Sequence, residues 1–226
     1  MTARPRGLVV AIDGPSGAGK STAGRALAEC LGYTYVDTGA MYRALSLKAL
    51  RAGLSPDAEG PLVELARGTR IELEDGGRRV RLDGLDVTAE IRSREVTIAS
   101  SRVSAHPGVR RDMVERQRRL GAGGGVVLEG RDIGTAVFPD AEAKFYLDAD
   151  PVKRARRRQA ELRAAGTDVD LDELEREIRA RDAADSTRAD SPLTRAKGAI
   201  LVDTTELAPA EVVERMASVV AAWREG

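Results

Sequence analysis

The chain has 226 residues, 42% of them hydrophobic, enough to bury one sizeable core but tight for two full domains. Lys+Arg and Asp+Glu balance at 36 each, so no global field draws the chain to nucleic acid or an anionic surface, and any phosphate binding must come from local arrangement. A single cysteine excludes an internal disulfide and fits a reducing interior. No segment nears 18 uninterrupted apolar residues, and Met-Thr-Ala-Arg-Pro-Arg lacks a signal-peptide core, so a soluble, cytoplasmic protein with no membrane partner is expected.

The first predicted strand is Leu8–Asp13. It runs directly into Gly14-Pro-Ser-Gly-Ala-Gly-Lys-Ser21 and then the helical pattern Ala23, Ala26, Leu27, Cys30, Leu31. Strand, glycine loop and helix in that order make a phosphate cradle. The backbone of Gly14, Pro15, Ser16, Gly17, Ala18 and Gly19 can wrap an anion above the positive end of a helix. Lys20 would reach the β- and γ-phosphates, Ser21 would ligate magnesium through its hydroxyl, and Thr22 offers a second hydroxyl near the α-phosphate. Cys30, on the apolar stripe, is expected to pack in the core. A second strand, Thr34–Asp37, opens Asp37-Thr-Gly-Ala-Met-Tyr-Arg43, which sets a hydroxyl, an aromatic ring and a guanidinium at the start of a helix.

From about residue 57 the strand and helix alternation breaks. A short helical pattern leads to Arg70–Glu74 and Arg78–Leu82 around Asp75-Gly76-Gly77, the signature of a hairpin. Residues 57–105 are expected to form a small antiparallel subdomain on the substrate side. His106, the only histidine, has no partner motif and reads as a loop or packing residue. Gly121–Gly125 is a connector to a third core strand, Val126–Glu129, which ends in Glu129-Gly-Arg-Asp-Ile-Gly-Thr135. A fourth strand, Lys144–Leu147, precedes the charge-dense stretch 151–184, where Lys153, Arg154, Arg156, Arg157 and Arg158 fall within six residues. Such helices are usually solvated faces, and the Gly166-Thr167 break before a fresh helix at Leu171 would let the first part swing as a lid. In Arg181-Asp-Ala-Ala-Asp-Ser-Thr-Arg188 the four-residue step puts Arg181 and Asp185 on one helix face. The last strand is Ile200–Asp203. A final helix opens at Pro209 and carries Val212, Val213, Met216, Val219 and Val220 toward the sheet, with Trp223 expected as an edge-packing anchor. The fold class is α/β: one domain over residues 1–226, a five-stranded parallel sheet with helices on both faces, an inserted antiparallel unit and a helical lid.

A glycine loop alone does not separate kinases from GTPases and motor ATPases. The guanine-reading Asn-Lys-x-Asp is absent, whereas arginines and carboxylates recur at strand ends, where open parallel sheets bind ligands. Only five of the cations are lysine, a bias that fits rigid bidentate phosphate contacts or simply genomic base composition. Convergence of Arg43, Arg131 and Arg188 would itself argue for an anion, because guanidiniums repel without one.

On these motifs, with Ile91-Arg, Ser100-Ser-Arg-Val, Val109-Arg110, Arg116-Gln-Arg and Val137-Phe-Pro-Asp140 in order, the chain resembles bacterial-type cytidylate kinases of the P-loop nucleoside monophosphate kinase family across nearly its whole length. The resemblance implies transfer of the γ-phosphoryl of ATP to CMP or dCMP with magnesium. It implies that Thr38, Arg43, Arg131 and Arg188 handle the acceptor phosphate, that Arg181 and Asp185 handle the sugar, that Ser101, Arg110 and Asp132 read the base, and that Tyr42 borders the acceptor site. Thr38 stands where some relatives carry serine, and Glu129 where some carry aspartate. Lys20, Arg131, and Arg157 and Arg158 of the lid are the expected catalytic cations. The chemistry of the base agrees: cytosine offers an amine beside two acceptors, which a carboxylate and an arginine can read together. The rival readings are another small-molecule P-loop kinase, which a substrate panel separates, and a nucleotide switch binding RNA through its arginine-rich helix, against which Glu161, Asp170, Asp172, Glu173 and Glu175 count. With no sustained heptad, a monomer is expected.

Overall fold

In the computed structural model, which describes residues 4–164 and 166–225, the strand-helix alternation resolves as follows. β1 (Val9–Asp13) leads to α1 (Lys20–Leu31), and β2 (Thr34–Asp37) to α2 (Thr38–Arg51). An excursion follows: α3 (Glu59–Arg67), β3 (Ile71–Glu74), β4 (Arg79–Leu82), β5 (Leu85–Asp86), α4 (Arg94–Val103) and α5 (Pro107–Gly121). The chain then returns through β6 (Val126–Gly130), β7 (Ala143–Asp148), α6 (Pro151–Ala164), α7 (Leu171–Thr187), β8 (Ile200–Asp203) and α8 (Pro209–Glu225). β2-β6-β1-β7-β8 form a five-stranded sheet in which every pairing is parallel, and β3-β4-β5 a three-stranded antiparallel one. The five-stranded sheet stands as the sequence predicts, and the expected hairpin is present as β3 and β4 but gains a short third strand, β5, after the Asp83-Gly84 turn.

The central strands are buried on both faces, which is why β1 and β6 read as unbroken apolar runs. On one face Ile12, Val127, Phe145 and Leu147 pack with Leu27 of α1 and Val212, Met216 and Val220 of α8. On the other, Ala11, Val36 and Leu128 pack with Ile133, Val137 and Phe138. The excursion has no core of its own kind. It closes on α2, whose one side meets Leu62, Val103, Val109 and Met113 and whose other meets Val80, Leu82, Ile91 and Val96. Because α2 begins at the C-terminal end of β2, with the Asp37 side chain accepting from the Ala40 N–H at 2.8 Å, the small sheet is attached beside the mouth of the large one.

Two packing expectations need correction. Cys30 is exposed: α1 buries Ala23, Gly24, Leu27 and Ala28, and position 30 lies roughly a quarter turn off that stripe. Trp223 is 58% exposed; it continues the stripe of Met216 and Val220, but residues 221–223 are all exposed, so by this turn α8 has run past its packing partners. His106 is the packing residue expected, its Nε2 donating to the Pro56 carbonyl at 2.8 Å. Among the described residues no helix is long and apolar enough to cross a membrane.

Phe145 sits in β7 at 1% exposure within the shared core of α1, α8 and the sheet. Phe145→Ala is expected to lower the free energy of unfolding by about 3–5 kcal/mol, read from urea denaturation; a loss below about 1 kcal/mol would place the main core elsewhere.

Candidate active site

β1 ends at Asp13 and the chain turns at once into the glycine loop. Gly14, at φ +147°, brings its Cα so close to β7 that a Cβ there would lie 2.0 Å from the Leu147 carbonyl oxygen, so no other residue fits. Beyond it, four successive carbonyls are taken up by donors. Lys20 Nζ donates to Pro15 O at 2.6 Å, Arg154 Nη1 to Ser16 O at 3.0 Å, and Thr204 Oγ1 to Ala18 O at 3.0 Å, while Arg157 Nη1 reaches Gly17 O at 3.5 Å, the limit of a bond. With its acceptors occupied, the loop keeps its N–H groups for a ligand, and the first N–H groups of α1 lack intrahelical partners by construction. Gly19 caps that helix in the left-handed region.

Carboxylates at neighbouring strand ends surround this cradle. Asp13 accepts from the Ile133 and Gly134 N–H groups, both at 2.7 Å, and burial pushes it up to about 6 against those two bonds. Glu129, at the end of β6, accepts from Ser21 Oγ at 2.6 Å and from the Tyr35 hydroxyl on the same oxygen, Oε1. Its Oε2 is buried without a partner, and burial and Asp37 hold it above the usual carboxylate range. Burial and the charge of Arg131 push Lys20 down to about 7.

Beside the cradle lies a second set of charges. Arg131 Nε donates to Asp185 Oδ2 at 2.9 Å, and Arg188 lies 3.6 Å from the other oxygen of the same carboxylate. Arg43 pairs with Asp37 at 2.9 Å. Arg181 is pushed down to about 10 by burial and by Arg131, with Arg43 also bearing on it, and its Nε has no partner. Deeper in, Arg110 bonds Asp132, both almost fully buried, and also donates to Ser104 O at 3.1 Å. Its guanidinium lies 5.8 Å from the centre of the Tyr42 ring, whose hydroxyl burial raises to about 12. Thr38 Oγ1 donates to the Glu129 carbonyl at 2.6 Å. The structure thus brings Lys20, Arg43, Arg131, Arg181 and Arg188 into one shared field. Ser101 is half-buried on α4, one turn before the Ser104 that Arg110 touches, and Thr22 is exposed on the first turn of α1.

The basic stretch of α6 is not the solvated face that such helices usually are. Arg154 is buried, bonding Ala149 O, Ser16 O and, at 2.7 Å, Asp182 of α7. Arg157 turns to the Thr204 hydroxyl and carbonyl, and Arg158 pairs with Glu161 at 3.0 Å. Sequence reasoning assigned no role to Asp13, Tyr35, Glu129, Arg154 or Asp182. Asp13 and Glu129 had a signal, a carboxylate closing an apolar strand; Tyr35, Arg154 and Asp182 did not.

A parallel sheet with a glycine cradle at the C-terminal end of its central strand, facing clustered arginines, defines a P-loop phosphotransferase acting on a small anionic acceptor. A shikimate kinase structure from Acinetobacter baumannii, in complex with shikimate, shares the fold at a TM-score of 0.50 and 18% identity, over 95% of this chain and 93% of that one. The cytidylate kinase family model matches residues 10–222. Cytidylate kinases of Syntrophotalea carbinolica and Caldanaerobacter subterraneus are each 53% identical, over 96% and 92% of this chain and 93% and 92% of their own lengths. The chain belongs to the cytidylate kinase family.

Burial works to raise Asp185, but Arg131 and Arg181 outweigh it and hold its carboxyl below the usual 3.8. A depressed folded value means that the stability Asp185 brings is complete above about pH 4 and is lost as pH falls through that value. Asp185→Asn is therefore expected to be less stable than wild type near pH 6 and to converge with it in acid; unfolding curves from about pH 6 to 2 check this, and parallel curves would deny the ion pair a role.

Proposed function

We propose that this chain transfers the γ-phosphoryl group of ATP to CMP and dCMP, the two nucleotides meeting end to end between the glycine cradle and the arginine cluster. The observation that carries the reading is the crowding of Arg131 against the buried Lys20 and Arg181, which with burial pushes Lys20 down to about 7 and Arg181 down to about 10. Cations so placed repel one another until an anion lies among them. Family membership names the acceptor, and the buried Arg110–Asp132 pair suits its base: the carboxylate takes a hydrogen bond from the cytosine amine while the guanidinium donates to ring acceptors. Uracil reverses two of those signs and would leave buried groups unpaired.

The transfer needs little proton chemistry, because the acceptor phosphate is already an anionic nucleophile, so position and charge carry the catalysis. The cradle N–H groups and Lys20 hold the donor phosphates; Thr38, Arg43, Arg131 and Arg188 hold the acceptor phosphate; Arg181 and Asp185 hold the sugar and its surroundings, with Tyr42 at the border. Arg131 and Arg181, adjoining Lys20, spread the charge of the transferring group, a role for which Arg157 and Arg158 are less suited given their bonds to Thr204 and Glu161. The donor set also fits a hard cation. Ser21 and the unpartnered Glu129 Oε2 offer oxygen, while among the described residues no group of three or more acidic, His or Cys side chains forms a self-sufficient cage, as expected where phosphates supply most ligands. Magnesium bound there with ATP would screen the β- and γ-phosphate oxygens, held by Ser21 and Glu129.

Residues 57–105 and 151–184 serve as the mobile acceptor-side and lid segments. Arg94 of α4 bonds both Glu173 and Glu177 of α7, which supports their closing together over the cleft to exclude water, the competing acceptor. Most of the α6 cations are committed within the fold, which counts against a basic face for RNA: Arg154 and Arg157 point inward, Lys153 and Arg158 are paired, and Arg156 alone of the five is exposed with no partner among the described residues. A cytoplasmic monomer working on free nucleotides fits the balanced charge.

Two substitutions test the assignment. Lys20→Ala should lower turnover at least about a hundredfold with the fold intact, and near-normal turnover would refute the cradle role. Asp132→Ala should erode the preference for CMP over UMP by about 1–3 kcal/mol, roughly 5- to 150-fold in kcat/KM, with ATP affinity little changed; unaltered discrimination would remove Asp132 from base reading.

A further inference from the structure

We propose that Tyr35 is a positioning residue for Glu129, and that the turn between β3 and β4 holds Tyr35 in place for this task. The inference rests on the reading of Glu129 as a cation-holding carboxylate and adds how that carboxylate is aimed. Tyr35 is 2% exposed and packs in the apolar cluster of Ile12, Leu27 and Val127. A phenylalanine would fill that space equally well, so the hydroxyl has a purpose of its own. A phenol has one hydrogen to give, and Tyr35 gives it to Glu129 Oε1, the oxygen that also accepts from Ser21 Oγ at 2.6 Å. Two donors on one oxygen fix the rotation of the carboxylate and leave Oε2 buried with no partner. Ser21, having spent its only hydrogen on Glu129, is left with lone pairs to offer.

The ring itself is clamped. On one side lies α1, where a Cβ at Gly24 would come within 3.0 Å of the ring and where the Arg25 guanidinium sits 5.1 Å from its centre. Against the ring also lies the 75–77 turn, where Gly77 at φ +75° approaches so closely that a Cβ would lie 2.8 Å from Cδ1. The tip of the small antiparallel sheet therefore bears on the cation-holding carboxylate through a single aromatic ring.

The test is calorimetric binding of ATP to Tyr35→Phe, Glu129→Gln and Gly77→Ala, each measured with magnesium and with EDTA, alongside kcat and the KM for CMP. Tyr35→Phe should bind metal-free ATP within about twofold of wild type but lose about tenfold of the magnesium-dependent gain in affinity, with kcat falling and the KM for CMP unchanged. A merely structural role would shift melting and leave that gain intact. If Glu129→Gln loses the gain and Tyr35→Phe keeps it, the positioning role is overturned while the carboxylate reading stands; if Glu129→Gln keeps it as well, both fall. Gly77→Ala, with the hydroxyl still present, should lose part of the same gain, and an unchanged gain removes the turn from the proposal.

Discussion

Like charges brought together out of water set the terms for the rest of the molecule. Lys20, Arg131, Arg181 and Arg188 lie near one another at partial or full burial, and the first and third are pushed well below their ordinary values. Such a group persists only because carboxylates are threaded through it: Asp185 between Arg131 and Arg188, Asp37 on Arg43, Asp132 on Arg110. Each carboxylate balances part of the charge, and none neutralises the centre. A phosphate entering that space meets guanidiniums already held at their far ends, which lowers the ordering cost of binding.

The parallel sheet makes this placement possible. Its strands end on one edge, and that edge carries Asp13, Asp37, Glu129 and Asp148 in adjacent strands. The acceptor side is then built outward from α2, which is capped by Asp37, presents Arg43 to the same carboxylate, and lies between two apolar clusters that anchor the excursion. One helix thus both carries Arg43, the proposed phosphate ligand, and joins the small sheet to the large one. The glycine loop is preorganised by a different device, the occupation of its carbonyls by Lys20, Arg154 and Thr204.

What could be read from the chain divides by the range of the interaction. The loop was legible because its geometry is local: glycines at fixed spacing, an apolar strand before and a helix after. β1 and β6 were legible because burial on both faces leaves continuous apolar runs, and the outer strands because short β-branched and aromatic runs recur between helical patterns. The β3–β4 hairpin was legible from Asp75-Gly76-Gly77, whereas β5, only two residues long, left no apolar alternation to read. Arg154 was not, since five cations in six residues normally face water, and only the approach of Ser16, Ala149 and Asp182 justifies burying one of them. The Tyr35–Glu129 bond spans 94 positions, and no pattern within either strand announces it. Cys30 and Trp223 show the converse error, where periodicity indicates a face but not where that face stops finding neighbours.

Arg154 also joins parts that chemistry would otherwise keep separate. Its guanidinium grips the Ser16 carbonyl in the glycine loop and the Asp182 carboxylate on α7, next in sequence to Arg181, the residue proposed to hold the sugar. A substitution at position 154 would therefore disturb the grip on both nucleotides at once, because one guanidinium serves as the tie between the two sides of the cleft.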